Sequence, residues 1–400
     1  MRMSTVQIFN QGVNNLLDRQ ADVTKTQEQL ASGKRIMNAS EDPAGTARTL
    51  DITSQLARID AYQRNTVAVQ SSLNLEESAL GSVVNDLQRA RELTIQANNA
   101  TMTGADRRSI AVELSAVLES IIATANTQDA SGEYIFAGFQ AETRPFTQTS
   151  SGATYNGDDG QRFMQVSANV QIASSNSGRD VFMSAAAGNG SFDYRGSANN
   201  TGTAKVTATS AAANYVPETY TLAFIQANPT DPITYTVTGD TSGQVATGTY
   251  TPGGAITFAN GEIQLSGTPV NGDTFTISSS PRQDVFTTLK DLVNTLASAT
   301  DSEASSTLVH NEASRGIINI DNAIEKILTV QADVGTRMRR ADMQTDTNEA
   351  FNYQLQETLS GLQDLDYAEA ISRLNIQMLA LQAAQQTFAK TQNMSLFNYL

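Results

Sequence analysis

Apolar residues recur at steps of three and four at both ends of the chain. Near the C-terminus they fall at Ile371, Leu374, Met378, Leu381 and Phe388, within a stretch running from Tyr367 to Leu400. That is the seam spacing of a coiled-coil helix meeting a partner. Gln385 and Gln392 occupy positions where the seam would otherwise be apolar, and Leu396 carries the pattern on. The N-terminus mirrors this arrangement: Val6, Phe9, Val13, Leu16, Val23 and Leu30 form one stripe, with Gln20 and Gln27 in the polar seam positions. Ser4 is placed to cap that helix, and Ser32-Gly33 to end it. The spacing predicts two rods of ~42 and ~48 Å, given ~1.5 Å per residue. Their matched lengths predict an antiparallel pair that closes the chain on itself.

The outer face of the last helix is unusual. Between Ala370 and Leu400 only Arg373 and Lys390 are charged, and most of the rest is Ala, Gln, Asn, Ser and Thr. A solvent-facing helix ordinarily carries charge there, so this one is expected to be packed by neighbours on several sides. The two terminal stripes are therefore the candidate assembly surfaces. The ends, about residues 1–40 and 360–400, are expected to firm up only when docked onto like neighbours.

The interior pattern changes twice. After a connector containing Gly33, Asn38, Ser40, Asp42 and Pro43, a long helix keeps the three-four rhythm. It runs through Leu50, Leu56, Ile59, Tyr62, Val69, Leu73, Leu80, Val83, Leu87, Ala90 and Ala97. Ser40 or Asp42 caps it and Pro43 suits its first turn. A second helix follows Gly104, through Ile110, Leu114, Val117, Ile121 and Ala125. From Ser131 to Gly138 aromatic and β-branched residues between glycines predict strand and turn. Asn156–Gly160 reads as a hairpin turn between Thr154-Tyr155 and Phe163–Val166.

Residues 186–282 differ in kind. Six of the eight prolines lie there, and nine of those 97 residues are charged. Short alternating runs at Ala204–Thr209, Tyr220–Ile225, Ile233–Thr238, Ala246–Tyr250, Ala255–Phe258, Glu262–Leu265 and Asp273–Ile277 predict an all-β, Thr-rich insert. Beyond Pro281 the chain is helical again, through Val285–Leu296, then from about Thr307 to Leu362. The fold class expected is α+β: a discontinuous long-helix core from both chain ends, a small β-hairpin region and an inserted β domain. The expected domains are 1–42 with 360–400, 43–185 with 283–359, and 186–282.

Composition narrows the chemistry. A net charge of −15 and a pI near 4.5 argue against nucleic-acid binding and against anionic membrane surfaces. The chain has no cysteine and one histidine, His310. That removes thiolate metal sites and leaves no paired His for a metal. His310 is expected at the surface. No Gly-x-Ser-x-Gly elbow, phosphate loop or dinucleotide glycine pattern occurs. Asp158-Asp159 lacks the alternating spacing of a calcium loop. Arg337, Arg339 and Arg340 read as an exposed basic face. The sequence therefore names no catalytic, cofactor or metal residue. No apolar run is long enough to span a membrane, and residues 1–30 lack the pattern of a cleaved signal peptide.

The quoted motifs carry a resemblance. Leu30-Ala-Ser-Gly-Lys-Arg-Ile36 followed by Asp42-Pro-Ala-Gly45 resembles the signature joining the two N-terminal helices of bacterial flagellins and their hook-associated relatives. Tyr134-Ile-Phe-Ala-Gly138, Thr143-Arg-Pro-Phe146, Val334-Gly-Thr-Arg-Met338 and the final Leu396-Phe-Asn-Tyr-Leu400 are similar to the hook-associated protein 3 branch. Leu265-Ser-Gly-Thr-Pro269 with Asn271-Gly-Asp-Thr-Phe275 resembles the outer β domain of hook-associated proteins. The resemblance implies a structural protein, not an enzyme, in a ring of like subunits. Such a ring joins the hook, through hook-associated protein 1, to the flagellin filament. It further implies export through the flagellar type III apparatus without signal cleavage, an extracellular place on the flagellum, and an export chaperone holding about Leu355–Leu400. A flagellin filament subunit, or a surface adhesive using the β insert, is the alternative.

Overall fold

The computed structural model describes the backbone of residues 5–393 and the side chains of residue 7 and residues 9–390. The contributions expected of Ser4, Gln392, Leu396 and the last five residues lie outside the described residues, as does the side chain of Val6. The chain divides into two units, Met1–Arg64 with Gln344–Leu400, and Asn65–Met343.

The first unit contains α1 (Thr5–Ser32), the start of α2 (Pro43–Ala97), the end of α6 (Glu303–Gln363) and α7 (Tyr367–Asn393). Its helix ends follow local chemistry. Asp42 Oδ1 accepts from the Gly45 N–H at 2.8 Å, and Pro43 opens α2, where its missing N–H costs nothing. Asp366 Oδ1 accepts from the Ala368 and Glu369 N–H groups at 2.9 and 3.1 Å to start α7.

The second unit is built around a helical core. Leu73, Leu80, Val83 and Leu87 of α2 pack with Leu114, Leu118 and Ile121 of α3 (Gly104–Ala125). Phe286, Leu289 and Leu292 of α5 (Val285–Ala297) and Ile320, Ile327 and Val334 of α6 complete it. Each such side chain contributes roughly 1.5–3 kcal/mol by leaving water. Thr103 and Asp106 form a reciprocal capping box at α3, and Asp284 caps α5 through the Thr287 N–H at 2.6 Å. Leu50, on the same sequence stripe as Leu73, is exposed in the first unit.

Two hairpins follow α3. β1 (Phe146–Thr149) pairs with β2 (Gly152–Tyr155), and β3 (Phe163–Ser167) with β4 (Val170–Ala173). The hairpin expected across Asn156–Gly160 does not form. β2 turns back onto β1, a strand hidden behind Pro145, and the Asn156–Gly160 loop instead wraps Asp158. Its Oδ1 accepts from the Phe139 and Gly160 N–H groups at 2.9 and 2.8 Å. Phe136, from the Tyr134–Gly138 motif, is buried edge-on to Phe182, which meets Phe146 and Phe286 in one aromatic cluster. Phe182 lies on the short α4 (Gly178–Phe182).

The insert folds into two antiparallel sheets. One has the order β10-β9-β8-β13-β6, from β6 (Phe192–Gly196), β8 (Tyr220–Ile225), β9 (Thr234–Gly239), β10 (Gly243–Thr249) and β13 (Thr274–Ser279). The other is β11-β12-β7, from β7 (Lys205–Ala211), β11 (Ala255–Phe258) and β12 (Gly261–Ser266). Alternate residues point inward: Tyr220, Leu222 and Phe224 from β8, Ile263 and Leu265 from β12, and Phe275 and Ile277 from β13. β5 (Ala185–Ala186) and β14 (Arg282–Gln283) pair where the insert leaves the helical part. The sequence runs located the seven strands from β7 to β13. β6 was missed because its alternation, Phe192 and Tyr194 against Asp193 and Arg195, lasts only four residues before Gly196.

Two polar residues sit deeper than expected. His310 is half-buried beside Lys205, and both burial and that charge lower its pKa. Arg337 is largely buried: it donates to Asn176 Oδ1 at 3.1 Å and pairs with Asp333. It closes a cluster around Glu76 of α2, which is fully buried. Glu76 Oε1 accepts from the Asn176 N–H and side-chain amide at 3.2 and 2.9 Å, while Oε2 has no partner. Burial pushes the Glu76 carboxyl up to about 7. A carboxyl raised by folding adds its stability in full below its ordinary value of 4.5, and loses it as pH rises through about 7. The thermal midpoint of the second unit should therefore fall between pH 5 and pH 8, by an amount on the order of 3 kcal/mol in stability. Glu76→Gln should flatten that slope in calorimetry; an equally steep slope in the variant would refute the assignment.

Candidate assembly interface

α1 and α7 lie side by side and antiparallel. Phe9 and Phe388 meet at one end with ring centroids 5.4 Å apart. At the other end Gly33 abuts Tyr367, whose hydroxyl would stand 2.8 Å from any Cβ at that position. Gly33 also has φ +69, the left-handed conformation that ends α1 at little cost only for glycine.

The connector after α1 zips this pair to the turn between α6 and α7. The Arg35 N–H donates to Gln363 O at 2.8 Å, and the Leu365 N–H donates to Gly33 O at 3.0 Å. Lys34 and Asp364 thus form an isolated antiparallel bridge. The Arg35 guanidinium donates to Leu362 O at 2.9 Å, and the Gln29 side chain to Arg35 O at 2.7 Å. The Leu30–Ile36 signature is therefore a backbone clasp: its small residues allow the approach, and its Arg satisfies a carbonyl at the end of α6.

The seam differs from the expected one in detail. On α7 the residues turned inward include Ala370, Leu374, Gln377, Leu381, Ala384 and Phe388, a four-three repeat, with Ala380 beside Leu381. Leu374, Leu381 and Phe388 were expected there. Ile371 and Met378 are not in it, being 50% and 49% exposed. They follow Ala370 and Gln377 by one residue, a turn of about 100° round the helix. Among the α1 residues, Val23 is buried, Val13, Leu16 and Leu30 are half-buried, and Phe9 is exposed except where it meets Phe388. Gln20, Gln27 and Gln385 are exposed and do not fill the seam. The polar seam residues are Thr26 and Gln29, both buried, and Gln377, whose Oε1 has no partner. The expected and observed repeats both step by threes and fours and share Leu374, Leu381 and Phe388, so spacing alone does not choose between them.

Several large apolar side chains stay exposed on the outside of the pair and of its neighbouring helices, among charged ones such as Arg19, Asp22 and Glu28. Ile376 and Leu379 of α7 are 66% and 68% exposed, and Leu17, Leu50, Phe351 and Tyr353 are exposed too. A shallow groove of about 590 Å³ runs past Leu17, Gln20, Ala21 and Lys25 to Glu41, which pairs with Lys25 at 3.3 Å. Nothing here is arranged for bond-making. Among the described residues no three His, Asp or Glu gather as a metal site, and no helix is long and apolar enough to cross a membrane. Large apolar side chains left exposed in a cluster mark contact surfaces in proteins generally.

The profile of the bacterial flagellin N-terminal helical region matches residues 3–141, and that of the flagellin C-terminal helical region matches 317–400. The flagellar hook-associated protein 3 of Salmonella typhimurium is 25% identical over 399 residues, 99% of each chain. A crystal structure of flagellar hook-associated protein 3 from Legionella pneumophila superposes with a TM-score of 0.73 at 34% identity, covering 98% of that chain and 78% of this one. The chain belongs to the flagellar hook-associated protein 3 family. FlgL of Xanthomonas campestris, at 32% identity and a TM-score of 0.71, covers 99% of its own chain and 77% of this one. The phase 1 flagellin of Salmonella naestved shares 36% identity over 119 residues, 30% of this chain and 24% of that one. Members of the hook-associated protein 3 family are structural parts of the flagellum, so the exposed apolar side chains of the first unit belong to a protein that contacts other flagellar components.

Gly12 tests the close packing of the pair, because a Cβ there would meet the Phe388 ring at 2.8 Å. Gly12→Val should loosen α1 from α7 by about 1–3 kcal/mol. The checks are hydrogen exchange along α1 relative to the parent and an unchanged melting of the second unit; exchange along α1 no faster than the parent's would contradict the packing.

Proposed function

We propose that this chain is a structural axial subunit of the bacterial flagellum, working at the junction between hook and filament. The observation that carries this is the α1–α7 pair, which forms one seam with itself and leaves Ile371, Ile376, Met378 and Leu379 uncovered. The second unit has its own packed cores and needs no such completion. Copies of the chain stack through these faces into a ring, each contact a heterologous one between unlike patches. Hook-associated protein 1 lies on one side of the ring and flagellin on the other. Before assembly an export chaperone covers about residues 355–400, and the chain leaves the cell without signal cleavage to its extracellular place. The terminal pair (1–42 with 360–400), the helical bundle (43–185 with 283–359) and the β insert (186–282) then serve as assembly, body and outer domains. The work is structural and not enzymatic. A flagellin filament subunit is the less favoured reading, since the flagellin match covers 30% of this chain.

Leu374→Asp and Leu381→Asp place a charge in the seam. Each should abolish incorporation into flagella in a complementation assay while hydrogen exchange in α3 and α5 stays as in the parent. Normal incorporation of either variant would overturn the proposal. In dilute solution the amides of α1 and α7 should exchange far faster than those of α2 near Leu80, because few side chains of the pair are fully buried. Equal, strong protection at both ends of the chain would show a self-sufficient bundle instead.

A further inference from the structure

The β insert meets the helical body through a row of polar side chains on α6. The insert's core shares no buried residue with the helical core. Between them α6 presents Asn311, Arg315, Asn319 and Asn322, at steps of four, four and three along one helix face. Each grips the backbone or a carboxylate of the insert or its root. Asn311 Oδ1 accepts from the Val206 N–H at 2.9 Å, and its Nδ2 donates to Ala204 O at 3.0 Å. The amide thus stands in for a neighbouring strand at β7, the edge of its sheet. Asn319 Oδ1 accepts from the Gly188 N–H at 2.7 Å, and Asn322 Nδ2 donates to Ala186 O and Gly188 O at 2.9 Å each.

Arg315 stands in the middle of the row and heads the fully buried side chains by size. It reaches Asp193 of β6 at 3.1 Å, Asp291 of α5 at 3.2 Å and Glu312 one turn back. Asp291 also receives Arg195 of β6 at 2.5 Å. Burying a guanidinium adds little net stability, since desolvation offsets the ion pairs, and apolar replacements of such groups are often as stable or more so. What the arrangement does supply is direction. A hydrogen bond weakens steeply when its angle changes, whereas apolar surfaces slide past one another at small cost.

We propose that the Asn311–Arg315–Asn319–Asn322 face is an orientation lock that holds the β insert at one fixed angle to the helical body. Freed of the lock, the insert keeps its fold and swings about the β5–β14 root. The chain contains no cysteine, so two introduced ones at exposed positions, Gln244→Cys on β10 and Glu119→Cys on α3, carry a spin-label pair. Electron–electron double resonance on the full chain should give one narrow distance distribution. Arg315→Met should broaden it by about twofold or more, as should Asn311→Ala with Arg315→Met. Asp193→Asn, which keeps the volume and removes one ion pair, should broaden it less. Hydrogen exchange in β8 and β13 should remain slow in all three. A distribution as narrow in Asn311→Ala/Arg315→Met as in the parent would overturn the lock. So would lost protection in β8 and β13, because the insert would then depend on this contact for its fold.

Discussion

The two ends of this chain have to lie together, and the rest of the architecture follows from that constraint. Two helices of nearly equal length meet antiparallel, and the clasp between Gly33–Arg35 and Gln363–Leu365 ties their roots. Once both ends are joined, everything between them is an excursion. The chain departs along α2, builds a helical body, throws out a β insert and returns along α6. Such a topology lets the middle fold on its own core and leaves Ile371, Ile376, Met378 and Leu379 exposed on the terminal pair. That separation suits a structural member of the hook-associated protein 3 family, whose assembly contacts have to be made without disturbing the body.

The three joints in the molecule use different physics. The helical body and the insert each close over an apolar core, where the energy is large and direction matters little. The insert is joined to the body by amides, carboxylates and a buried guanidinium, where net energy is small and direction matters most. The terminal pair uses a seam in which Leu, Ala and Val alternate with Thr26, Gln29 and Gln377, with apolar side chains such as Ile376 and Leu379 exposed outside it. Stability and orientation thus rest on different contacts in one chain.

The polar residues show where one-dimensional reasoning stops. Arg337, in a cluster of three arginines, reads as a surface charge, and so does a lone His310 on a polar turn. Each lies inward because a second segment, distant in sequence, arrives with an acceptor or a covering strand: Asn176 for Arg337, and β7 for His310. Glu76 lies between Leu73 and Leu80 on the apolar stripe, so its inward position is written in the sequence, but its partner Asn176, 100 residues on, is not. Arg315 is silent until β6 brings Asp193 to it.

Periodicity alone determined the helices at both ends, the long interior helices and the all-β character of residues 186–282. These are properties of neighbours three, four or two residues apart, which the chain carries within itself. The matching stripes also determined that the ends pair. Tertiary structure decided which of two adjacent positions faces inward, Ala370 or Ile371, Gln377 or Met378, because that depends on the partner's shape and on how closely Gly12 lets Phe388 approach. It decided strand pairing at β1–β2, and it placed the buried charges. Those outcomes rest on contacts between segments tens to hundreds of residues apart, whose geometry no local pattern encodes.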